Sequence, residues 1–136
     1  AYGEWFSNKR QTFSVTNGVD TIIPLETTGQ AIFTEYDTNY AIHIQKYGVY
    51  KIDYFFNDAF DRDTTFILAA ENDASKVIGG DVKGFGKANE IISVSSSLVF
   101  SLTENDEITL IIRTENDSNL IFGDNTNTRL SVMKLD

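Results

Sequence analysis

Residues 48–58 read Gly48-Val49-Tyr50-Lys51-Ile52-Asp53-Tyr54-Phe55-Phe56-Asn57-Asp58, and the fold turns on how that stretch is read. Side chains alternate across a strand, so Tyr50, Ile52, Tyr54 and Phe56 share one side, while Val49, Lys51, Asp53 and Phe55 share the other. The first set is a core stripe. The second is mixed, and a strand facing water on that side would not carry Val49 and Phe55 there. The second side therefore needs a partner: a ligand, another sheet, or another copy of the chain.

The period of two recurs along the chain. Alternating runs lie at Thr12 to Val15, Thr21 to Leu25, Ala31 to Tyr36, Tyr40 to Gln45, Val49 to Asn57, Thr64 to Ala70, Glu90 to Val94, Leu98 to Leu102, Glu107 to Arg113 and Leu130 to Leu135. Turn-forming clusters separate them: Asn17-Gly18, Thr27 to Gln30, Asp37 to Asn39, Asn57 to Asp63, Thr103 to Asp106 and Asn116 to Asn119. Glu71 to Asn89, with Gly79, Gly80, Gly84 and Gly86, reads as a long surface connection holding a short strand around Lys76 to Ile78. About ten short strands and no helical period predict an all-β sandwich or barrel, and the strand count suits a jelly roll.

Residues 1–136 form one domain on this reading: the chain is long enough for a core of its own, and Pro24 is its single proline, with no linker or repeat. Eleven Lys and Arg against twenty Asp and Glu give a net charge of −9, which repels nucleic acid and anionic lipid. The absence of Cys excludes disulfides, thiol catalysis and thiolate metal sites. No apolar run approaches the roughly twenty residues of a membrane span, and residues near Ala1 lack the pattern of a signal peptide.

Candidate chemistry is sparse. His43 is the single histidine, which excludes a zinc-binding His cluster, and no G-x-S-x-G elbow accompanies it to suggest a triad. Gly79 to Lys87 has the glycines of a phosphate loop but not its spacing, with Asp81 and Ala88 at the wrong positions. Asp58, Asp61 and Asp63, joined by Asp117 and Asp124 from later loops, could supply part of a calcium site or act as a solvated turn. Trp5, Phe6, Tyr47, Phe60 and Phe85 could stack on sugar rings or fill the core. Asn116-Asp117-Ser118 matches the glycosylation acceptor pattern. Nothing calls for a cofactor.

Three stretches carry a family resemblance: the opening Ala1 to Val15 with Thr21 to Gly29, the middle Tyr40 to Phe56, and Leu98 to Ile112 followed by Thr128 to Asp136. In order and spacing they resemble the C-terminal domain of BclA-type collagen-like glycoproteins of spore exosporia, a jelly roll similar to C1q and tumour necrosis factor domains. Where the family commonly has Gly before the Asp of one turn, this chain has Asn105, which also tolerates positive φ.

The resemblance implies a compact, non-enzymatic homotrimer at the spore surface, with residues 1–10 leading in from an upstream collagen-like stalk. One sheet would face the three-fold axis, including the strands at Val49, Glu107 and Leu130. Parity then assigns Val49, Phe55 and Ile111 to apolar layers and Lys51, Asp53 and Arg113 to pairing between subunits; in the last strand, where Leu130 and Val132 share one face and Met133 and Leu135 straddle the other, Met133 and Leu135 are favoured for the same interface. Outer loops would contact a host protein or glycan. The alternative is a carbohydrate- or receptor-binding head, such as a lectin-like module or phage fibre tip.

Overall fold

The Gly48 stretch forms one strand of 13 residues, Gly48–Phe60, longer than the run that alternation marks. It continues through Asp58 because that buried carboxylate has donors in place, the Gly123 amide at 3.2 Å and the Thr128 hydroxyl, after which Phe60 returns to the core. The computed structural model describes residues 1–7, 10–25, 27–29, 31, 34–36, 40–72, 76–77, 81–123 and 128–136. Among these no helix occurs, and the strands are β1 (Tyr2–Phe6), β2 (Gln11–Val15), β3 (Thr21–Ile22), β4 (Thr27–Thr28), β5 (Thr34–Tyr36), β6 (Ile42–Ile44), β7 (Gly48–Phe60), β8 (Thr64–Asn72), β9 (Lys76–Val77), β10 (Val82–Gly86), β11 (Ile92–Leu102), β12 (Glu107–Thr114), β13 (Ser118–Phe122) and β14 (Arg129–Lys134).

Two antiparallel sheets result. In the first, β11 pairs with one edge of β7 from Gly48 to Asp58. The other edge of β7 is shared, β14 taking Tyr50 to Phe55 and β13 taking Ala59 and Phe60. β1 and then β4 extend the sheet beyond β14, and β2 extends it beyond β13. The second sheet runs β10-β8-β12-β6-β5, with β3 also on β12 and β9 on β8. Their facing sides enclose the predicted stripe of Tyr50, Ile52, Tyr54 and Phe56, together with Leu68, Ile108, Leu110, Ile112, Leu130 and Val132. Phe60 and Phe66 close the far end with ring centroids 5.2 Å apart.

Several elements depart from the sequence reading. Residues 2–6, expected within the lead-in, form a strand of the sheet: Tyr2-Gly3-Glu4-Trp5-Phe6 alternates, and β1 sits between β14 and β4 with Trp5 buried and its indole N–H donated to the Ala41 carbonyl at 2.8 Å. The runs at Glu90 and Leu98 fuse into β11, since β7 offers an unbroken ladder and Ser95 to Ser97 do not break it. β10 lies in the expected surface connection. Gly84 serves packing there, because a Cβ would stand 2.7 Å from the Phe66 ring. Gly79 and Gly80 lie outside the described residues. β13 begins inside the expected Asn116 to Asn119 turn, and β7 runs into the one expected at Asn57. The Asn105 turn is as expected, with φ at 77°.

Candidate interaction face

The side of the first sheet turned away from the core is built by register. Across β11, β7, β14 and β1, one row reads Val99, Lys51, Met133 and Tyr2; the next reads Ser97, Asp53, Ser131 and Glu4; the third reads Ser95, Phe55, Arg129 and Phe6. A further row toward the start of β7 holds Ser101 and Val49, and Leu135 joins it by donating its amide to the Val49 carbonyl at 2.8 Å. Six residues expected at an interface, Val49, Lys51, Asp53, Phe55, Met133 and Leu135, therefore share one face.

That face has two halves. Around the start of β7 its exposed residues are mostly apolar, Val99 at 60%, Leu135 at 50% and Met133 at 44%, with Lys51 between Val99 and Met133. Scattered exposed apolar residues are ordinary; these three share one sheet face. Toward the middle lies a depression of about 390 Å³ lined by Tyr2, Asp53, Phe55, Arg129, Ser131 and the serines of β11. Its charges pair within the chain: Lys51 Nζ lies 3.8 Å from Asp53, and Arg129 Nε 3.9 Å from Glu4. Tyr2 donates its hydroxyl to Glu4 at 2.6 Å, and partial burial followed by that carboxylate pushes its pKa up to about 12. The tyrosine stays protonated as a donor.

Ile111 and Arg113 do not belong to this face. The strand that carries them, β12, lies in the opposite sheet, paired with β8, β6 and β3. Ile111 points away from the core as parity requires, yet it is only 3% exposed, flanked by Ile22 of β3 and Ala69 of β8. Arg113 donates Nε to Asp20 at 2.7 Å within the chain. Alternation assigns a side, but it does not say which of two sheets a strand joins.

The other candidates resolve into structural roles. Asp61 accepts the Asn119 amide and side-chain N–H, both at 2.8 Å, which holds its carboxyl below the usual range; Asp63 accepts the Ala88 amide at 2.9 Å. Asp58 points inward at Gly123 and Thr128, so the three acids face different partners. Among the described residues no three acidic or histidine side chains gather as a metal site, and Asp124 lies outside them. Trp5 and Phe60 are core residues, leaving Tyr47 and Phe85 as the exposed large aromatics. Asn116 spends its amide on the Asp63 carbonyl at 2.8 Å, and Ser118 is buried. His43 Nε2 lies 3.2 Å from Asn105 Oδ1.

Sequence reasoning missed Val99, Tyr2, Glu4 and Arg129. Val99 was legible, since Leu98 and Phe100 claim the core side and leave it outward. The charged pair was not: Glu4 and Arg129 lie far apart in sequence and meet through the register of β1 on β14.

No protein-family description and no curated protein matches this sequence. Among solved structures the chain is similar to the Eiger TNF from S. frugiperda, at 12% identity and a TM-score of 0.64, over 99% of this chain and 92% of that one. The likeness establishes the fold as a TNF-like jelly roll.

Proposed function

We propose that this chain is a non-enzymatic self-assembling head domain whose β11-β7-β14-β1 face packs against two further copies around a three-fold axis. One observation carries this reading: the bare apolar half of the face adjoins the point where the chain enters. Ala1 accepts the Lys134 amide at 2.9 Å, and Tyr2 sits opposite Met133. Copies joined through Val49, Val99, Met133 and Leu135 would bring their N-termini together. Burying a large apolar side chain is worth roughly 1.5–3 kcal/mol, so several per copy are of the size needed against an association cost of about 4–15 kcal/mol.

Such a head suits a cap that nucleates a collagen-like stalk, because three tethered strands meet at high effective concentration. The family resemblance in the sequence supports placing it at the outside of a bacterial spore, with the outer loops toward a host protein or glycan. The test is a fusion carrying Gly-Pro-Pro repeats ahead of Ala1. The head is expected to speed triple-helix refolding, followed by circular dichroism, and a Val99→Asp head to lose that advantage. Refolding at the rate of the repeats alone would refute the cap.

A further inference from the structure

Leu135, on the proposed assembling face, lies beyond the last residue of β14, tied to the sheet by its amide on the Val49 carbonyl at 2.8 Å. Around it the chain builds a latch. Lys134 turns toward the core side of the sheet and is 13% exposed, with Nζ 2.8 Å from the Asp136 carboxylate and 2.6 Å from the Asp136 carbonyl. The same carboxylate oxygen accepts the Val49 amide at 3.1 Å. The Lys134 stem lies over Gly48, where a Cβ would press on the lysine and stand 2.8 Å from Asp136 Oδ1. Asp136 is thereby held across the start of β7 from two directions, and Leu135, between two anchored residues, is set beside Val49 on the bare face.

We propose that Asp136, with Lys134 and Gly48, is a positioning device for self-association: it touches no partner copy and acts by fixing Leu135 in the assembling face. This rests on the assembly reading above. The donors that hold Asp136 also draw its carboxyl below the usual range, Lys134 first and the Val49 amide second, so it is ionised wherever the protein is folded near neutral pH. An unanchored Leu135 would pay its ordering cost on association; the latch pays it beforehand.

The experiment is a double-mutant cycle on the dissociation constant, read by sedimentation equilibrium, with Asp136→Asn and Leu135→Ala. Each single change is expected to raise the constant by at least about tenfold, and the double variant by no more than the larger single effect, because the latch acts through Leu135. Gly48→Ala, which disturbs the lysine without removing a charge, should reproduce the Asp136→Asn shift, and Asp136→Glu should recover part of it. Far-ultraviolet circular dichroism of dilute protein verifies that every variant keeps the fold. Additive effects, or an unchanged constant for Asp136→Asn with a trimeric parent, overturn the latch alone. A parent that stays monomeric overturns the assembly reading together with it.

Discussion

The two outward faces of the sandwich carry apolar residues at matching parity, and the chain treats them differently. On the second sheet Ile111 and Ala69 are buried, at 3% and 2% exposure, with β3 paired beside Ile111 and Asp20 accepting from Arg113. On the first sheet Val99, Met133 and Leu135 stay bare. A strand pattern that is apolar on both sides thus has two meanings. It marks either a surface the chain buries by itself or one left for another molecule, and the neighbouring strands and side chains decide which.

The largest effect should come from putting a charge on each face. Ile111→Asp buries an unpaired carboxylate and is expected to cost about 3–5 kcal/mol of fold stability in urea titration. Val99→Asp should leave the dilute monomer within about 0.5 kcal/mol of the parent while abolishing association. Equal losses of stability from both changes would erase the distinction between the faces.

The core beneath the second sheet also depends on close packing at its edge. Gly84→Ala places a methyl against the Phe66 ring, which is wedged between Phe56 and Phe60 at centroid distances of 5.5 and 5.2 Å. The ring has little room to move, and about 1–3 kcal/mol of destabilisation is expected by the same titration. Glu71 sharpens the comparison through pH. It is buried on the outward side of the second sheet, and burial first, then Asp20, raises its carboxyl above the usual range, with Arg113 pulling the other way. A raised carboxyl holds its proton more tightly folded than unfolded, so stability falls as pH climbs from the ordinary glutamate value through the folded one. Glu71→Gln should therefore melt higher than the parent at neutral pH and lose that advantage in acid. The smallest effect belongs to the bare face: Lys51→Ala breaks a half-exposed pair and should change monomer stability by no more than about 1 kcal/mol.

The core stripe of β7, the all-β class and the turn at Asn105 were legible because each rests on local chemistry: period-two burial and tolerance of positive φ. The opening strand was legible too, in Tyr2-Gly3-Glu4-Trp5-Phe6, but its position at the chain start disguised it as a tether. What local pattern could not supply was pairing. β12, like β7, alternates a core-facing apolar side with a mixed one, and only the ladder with β8 puts Ile111 and Arg113 on the far sheet. β10 was hidden for a different reason, since its glycines signal a loop in sequence and serve ring packing in the fold. The candidate site was accordingly half legible: parity found the side of each strand, and register found the neighbours.

Met133 is the chain's single methionine and stands in the bare apolar half of the face, which makes its thioether a direct probe of whether that face is covered in solution. The decisive measurement is the rate of peroxide oxidation of Met133, read by mass spectrometry across a dilution series whose molecular mass is followed in parallel. Protection that grows with concentration as the mass rises to three chains is the predicted result; a constant rate at the mass of one chain would contradict the account.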